Sequence, residues 1–174
     1  MSVHLQKTRL YTTTKNQKDA GTDAAIEFGF DAPSQLTTYP TPGWNWQALD
    51  HPWDDFEEGR SDAYEVDYQG GNRGMSVSGT PVPRGLGFAN WQEARKAKFK
   101  LRTKGNDWLR LDHYAMLGYF RELRHVPGTI DSFDTIDHGW LLMSWRDRDI
   151  DLSTDPREGT RTHSFKLNGT FAGP

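Results

Sequence analysis

Two acid-rich segments about thirty residues apart hold the side chains best suited to chemistry. The first is Asp19-Ala-Gly-Thr-Asp23, between two runs of strand character. The second is Leu49-Asp-His-Pro-Trp-Asp-Asp-Phe-Glu-Glu-Gly-Arg-Ser-Asp62, again followed by a strand. Asp19 and Asp23, with carbonyl oxygens around Gly21 and the side chain of Asn16, offer oxygen ligands from one turn. Asp50, Asp54, Asp55 and Glu57 offer them from the other. Calcium takes roughly six to eight oxygens at about 2.3–2.6 Å, from carboxylates and carbonyls together. Two turns meeting at one end of a β-sandwich would supply that set. The same residue types also serve ordinary turns by bonding their own backbone, and the spacing alone leaves both uses open.

Other catalytic constellations are thin. The six histidines form no HxxxH or HxH pair, so the pattern of a zinc enzyme is missing. Asp112–His113 and Asp137–His138 are acid–base neighbours in sequence, but adjacent strand residues face opposite ways and do not cooperate directly. There is no G-x-S-x-G elbow and no phosphate-binding glycine loop. Asp147, Asp149 and Asp151 alternate on one strand face, a pattern open to metal or glycosidase use that reads first as an exposed edge resisting aggregation. A glycan-directed hydrolase would need two facing carboxylates about 5–9 Å apart, and this class ranks last. Trp44, Trp46 and Trp53 are candidates for contact with a lipid surface or a partner. Exposed aromatics at a sandwich end insert into a membrane interface or stack on a sugar ring, and buried ones cap a core. The basic run Arg95, Lys96, Lys98, Lys100, Arg102 and Lys104 reads as a solvated strand face that would also attract anionic lipid, sulfated glycan or protein.

The chain has 174 residues, enough for one well-packed domain. It is polar, with a mean hydropathy of -0.83, yet seven Trp, six Tyr and nine Phe can bury large areas. Disordered chains lack such aromatics. The net charge of -3 gives no nucleic-acid footprint. The absence of cysteine excludes disulfides and thiolate chemistry. The N-terminus has no apolar stretch of the signal-peptide kind, and no run is long enough to span a bilayer. The expectation is a protein of the cytoplasm, or one released without a Sec signal.

The elements that must position these residues are strands. Val3–Thr13 is β-rich. Ile26, Phe28 and Phe30 alternate on one face. A short strand is expected around Trp44–Ala48 inside a long loop from Asp31 to Trp53. Arg60–Tyr68 is a strand with Ala63, Tyr64, Val66 and Tyr68 as its apolar members. Gly70–Gly87 reads as a surface loop. A helical turn at Asn90–Ala94 precedes a two-sided strand over Ala94–Thr103, for which a helix is the rival assignment. Lys104-Gly-Asn-Asp107 suggests a hairpin turn leading back into Trp108–Leu117. Gly139–Trp145, the most apolar run, is expected at the centre of a sheet, and His163–Asn168 as the last strand. Seven to nine short strands with turns between them predict an all-β antiparallel sandwich.

Several blocks follow the order of a known family. Tyr11-Thr-Thr-Thr, Ala20-Gly-Thr-Asp-Ala24, Leu49-Asp-His-Pro and Asp55-Phe-Glu-Glu-Gly-Arg-Ser-Asp-Ala-Tyr64 resemble the PLAT, or lipoxygenase-homology, domain. Ala94–Leu111 resembles its later strand pair. The resemblance implies an eight-stranded sandwich over residues 1–120 that binds membrane lipid or another protein and is not itself an enzyme. In some members calcium is bound at the loop matching Asp19, Gly21, Thr22 and Asp23 and at a neighbouring loop, here Asp54 and Asp55. Residues 121–174 would be a C-terminal extension whose strands pack on the same sandwich. The chain has Thr12-Thr-Thr14 where the family shows TGD. Alternatives are a structural or assembly subunit of a particle or secretion apparatus, and a toxin directed at a membrane.

Overall fold

The computed structural model describes residues 1–18, 20–22, 24–32, 43–49, 56–68, 85–105, 107–129, 132–157 and 159–169. Alternation of side chains builds β1 (Ser2–Thr14), β2 (Ile26–Ala32), β3 (Gly43–Ala48), β4 (Ser61–Asp67), β5 (Leu86–Phe88) and β6 (Phe99–Thr103). The chain continues through β7 (Leu109–His125), β8 (Phe133–Arg146), β9 (Ile150–Leu152) and β10 (Thr162–Ser164). A single helical turn, α1 (Trp91–Ala94), precedes β6, and the Asn90 side chain caps it by accepting the Glu93 amide at 3.0 Å.

The strands form two antiparallel sheets. One has the order β4-β1-β7-β8, with β5 beside the start of β1 and β9 beside the start of β7. The other runs β10-β6-β2-β3. The chain is therefore an all-β sandwich, as composition and the PLAT resemblance both imply. Three strands are long, however: β1, β7 and β8 have 13, 17 and 14 residues. Lys104–Asp107 is not a hairpin turn, because β6 and β7 belong to different sheets and the segment crosses between them. The apolar run Gly139–Trp145 lies in β8 at the edge of its sheet's main path, not at its centre. Ala94–Thr103 divides into the end of α1 and β6, a strand and not a long helix. In β4 the inward residues are Asp62, Tyr64 and Val66, while Ala63 faces out. The end of the Gly70–Gly87 stretch enters β5, and its earlier part lies outside the described residues.

The core joins the two inner faces. Ile26, Phe28, Phe30, Phe99 and Leu101 from one sheet meet Leu5, Leu10, Tyr64, Val66, Met116 and Phe120 from the other, all buried. Phe165, just after β10, ties the layers together. Its ring centroid is 5.8 Å from Phe28 and 4.8 Å from Tyr114, which belong to opposite sheets. Its amide donates to the Phe99 carbonyl at 3.0 Å. Phe165→Ala should cost about 3–5 kcal/mol and lower the thermal midpoint by roughly 10 °C. Urea and thermal denaturation measure this, and a loss under about 1 kcal/mol would deny the residue its bridging role.

Candidate functional site

The described parts of the two acid-rich segments, residues 20–22 and 56–62, come to the same end of the sandwich. The first follows β1 and the second precedes β4, and β1 and β4 are paired from Lys7↔Asp67 to Thr13↔Ser61. Backbone hydrogen bonds fasten the intervening chain. The Lys15 amide donates to the Arg110 carbonyl at 2.9 Å, Arg110 returns a bond to Ala20 at 3.0 Å, and Gly59 donates to Lys15 at 3.3 Å. Ala20 is wholly buried.

The two segments touch at Gly21. A Cβ built there would lie 2.8 Å from the Phe56 carbonyl oxygen, 3.1 Å from the Glu58 nitrogen and 3.3 Å from the Glu57 Cα. Glycine is therefore required for the two segments to touch. Phe56 holds the other side. Its φ is +56°, an uncommon conformation for a residue with a side chain. Burial of its ring against Tyr64, at 5.1 Å, and donation of its amide to buried Asp62 at 3.2 Å keep it there. The Thr22 hydroxyl is buried and accepts the Ala24 amide at 3.0 Å, so it closes the turn. Asp19, Asp23, Asp54, Asp55 and Trp53 lie outside the described residues. Of the candidate oxygen donors, Asn16, Gly21, Thr22 and Glu57 are thus the described ones, with Asn16 and Glu57 exposed. Among the described residues no group of three or more His, Asp or Glu is placed to hold a metal.

Other acids at this end already have cations. Asp149 meets Lys15 at 2.8 Å, and Asp151 meets Arg110 Nε at 2.7 Å. The Lys15 hydrogen bond leads in holding Asp149 below the usual carboxylate range. These residues were expected on a bare strand edge; they instead pin β9 to β7 and to the end of β1.

Trp44 and Trp46 stand on β3, stacked at 5.6 Å on the outer face of the second sheet. Lys100 lies over Trp44 at 4.2 Å and Arg102 over Trp46 at 3.8 Å. Trp46 covers Gly29, where a Cβ would come within 2.6 Å of the indole. Glu27 anchors this pavement. It accepts from Arg102 at 2.6 Å and pairs with Lys104. Burial alone would raise the Glu27 carboxyl pKa, but the bonds from Lys104 and Arg102 bring it below the ordinary value. The basic stripe is therefore partly neutralised from within.

Sequence reading passed over one buried polar cluster. Glu122, fully buried, receives Trp91 Nε1–H at 3.2 Å and Arg124 Nε at 2.5 Å, and contacts His138 Nε2 at 2.9 Å. The available signal was a carboxylate on the inward parity of β7, two residues after Phe120. A register shift between Phe120 and Arg121 separates His138 from Asp137, which bonds Tyr119 at 2.5 Å.

No family model matches the chain, and no curated protein does. Solved structures do. Alpha toxin from Clostridium absonum is 14% identical and superposes with a TM-score of 0.56, over 94% of this chain and 32% of the toxin. Alpha toxin from an avian strain of Clostridium perfringens is 15% identical, with a TM-score of 0.44 over 77% of this chain and 31% of the toxin. A coral 8R-lipoxygenase, described by calcium activation through a C2-like domain, is 16% identical, with a TM-score of 0.38 over 84% of this chain and 16% of the enzyme. The similarity to the first toxin is one of fold, and this chain spans about a third of that toxin's length.

Two histidines make stability depend on pH. Burial lowers His4 and His163 from 6.5 to about 4, with the Arg146 charge adding to the effect at His163. Each binds its proton less readily folded than unfolded, so its stabilisation is whole above pH 6.5 and is lost as pH falls from 6.5 towards 4. Glu27, held below 4.5, adds a second loss once pH passes below that value. Thermal midpoints at several pH values should fall through both windows. His4→Phe should flatten the upper one, and an unchanged slope in that variant would contradict the assignment.

Proposed function

We propose that this chain is a non-catalytic binding domain for a lipid surface, assisted by calcium held between its two acidic segments. The observation that carries the reading is the packing of Gly21 against Phe56–Glu58. It joins two acid-rich stretches at one end of a sandwich, the arrangement a hard cation needs from chain segments remote in sequence. In this reading Asp19 and Asp23 supply carboxylates from the first segment, Asp54 and Asp55 from the second, and carbonyls around Gly21 complete the set. Thr22 serves by shaping the turn through the Ala24 amide. A bound cation would relieve repulsion among the acids and leave valences for lipid phosphate.

The aromatic and cationic face supports the same reading. Trp44 and Trp46, half-buried beneath Lys100 and Arg102, are of the residue type favoured at membrane interfaces. Lys100 adds attraction for anionic headgroups, about 1 kcal/mol for a basic residue near such a surface. Trp53 follows β3 in sequence, within the acidic segment itself. Among the described residues no helix is long and apolar enough to cross a membrane. A domain that carries a longer toxin to a membrane is one variant of this reading.

Two measurements test the reading. Saturating calcium, at about 100 times its dissociation constant, should add about 2.7 kcal/mol of stability, a rise of several degrees over chelator. Asp23→Ala should abolish the rise. Flotation with anionic vesicles should show calcium-dependent binding that weakens in Trp44→Ala and Trp53→Ala. Equal flotation in calcium and chelator, indifferent to both Trp variants, would refute the proposal and favour a protein partner or an assembly role.

A further inference from the structure

An exposed groove lies on the opposite outer face, away from Trp44 and Trp46. Cross-strand register sets the row Ala63–Tyr11–Ala115–Trp145 across β4, β1, β7 and β8. Two aromatic side chains alternate there with two methyl groups. Tyr11 and Trp145 are 40% and 47% exposed, high values for such large side chains. One strand separates them, so their backbones stand roughly 10 Å apart, two strand spacings of about 4.8 Å. Only the Ala115 methyl fills the interval. The result is a groove of about 660 Å³.

Its far end is polar. Thr13 and Ser61 form the next row and share a hydroxyl–hydroxyl bond of 2.8 Å. Exposed His113 and Asp147 complete this end. Trp145 is fixed from behind. The Asn168 amide accepts from the Trp145 backbone N–H at 3.0 Å and donates to its carbonyl at 3.1 Å, closing the sheet edge as a strand would.

From this arrangement we infer that the groove binds an oligosaccharide. Pyranose rings carry apolar C–H faces and a polar circumference. Two aromatic walls over a methyl floor suit the faces, while hydroxyl, imidazole and carboxylate groups suit the circumference. A ring with all-equatorial substituents presents C–H groups on both faces, so β-linked glucose is the favoured chemistry over galactose, whose axial hydroxyl spoils one face. An acyl chain would bring no hydrogen-bonding group to the Thr13–Ser61 pair, His113 or Asp147. The inference is independent of calcium and of the Gly21 contact.

The test is titration of the full chain with cellotetraose and, in parallel, a β-galactoside tetrasaccharide, read by tryptophan fluorescence and calorimetry in chelator. The expected result is saturable binding of cellotetraose, weaker binding of the galactoside, and at least a tenfold loss in Trp145→Ala and in Tyr11→Ala. Both side chains are exposed, so the variants should keep the parent's thermal midpoint, which is measured alongside. Absence of binding by either probe, or binding that Trp145→Ala leaves unchanged, overturns the inference. So does loss of vesicle flotation in Trp145→Ala without saccharide binding, which would assign the groove to lipid.

Discussion

The antiparallel pairing of β1 with β7 is the constraint on which the molecule depends. It runs from Ser2↔Leu123 to Thr14↔Leu111 and places the N-terminal strand in the middle of a sheet. β4 and β5 lie along the other side of β1, and β8 and β9 along the other side of β7. Close contact here also demands a small residue. A side chain at Gly118 would overlap Met143 and press on Phe120 and Leu5. Because β1 ends at Thr14 beside the start of β7, the first acidic segment must leave at that end. Because β4 pairs with β1 in reverse, the second must enter there. The meeting of Gly21 with Phe56 follows from strand direction, and local contacts only refine it.

The same frame separates two outer surfaces with different chemistry. On the second sheet, indole rings lie beneath cations that Glu27 partly neutralises. On the first, Tyr11 and Trp145 rise from a floor of alanine. Pleating alternates side chains between core and surface, so each face is set by every second residue of strands whose other residues build the core. A domain of this kind can evolve two binding surfaces without disturbing its interior.

Much of the fold was legible in the sequence. Ile26, Phe28 and Phe30 give the period of a half-buried strand, and all three are buried. Phe99 and Leu101 do the same for β6. What alternation does not encode is which strand pairs with which. Lys104-Gly-Asn-Asp107 has turn chemistry whether the chain reverses within a sheet or crosses to another, and here it crosses. Gly139–Trp145 is apolar, yet its strand sits at an edge where Leu141, Leu142 and Trp140 are only half-buried. The acidic segments were legible as composition. Their proximity was not, because it depends on β1–β4 pairing and on a positive φ at Phe56 that no residue type announces. Ala63 was counted among the apolar residues of its strand; its outward place beside Tyr11 emerges from register alone.

The central claim is that the contact between the acidic segments forms a cation site, and direct calorimetric titration of calcium tests it most plainly. Chelator-stripped protein should give a saturable isotherm, and Gly21→Val, which forces the segments apart while removing no carboxylate from the sequence, should bind at least tenfold more weakly. Flat heats in the parent, or equal affinity in the variant, would contradict the account.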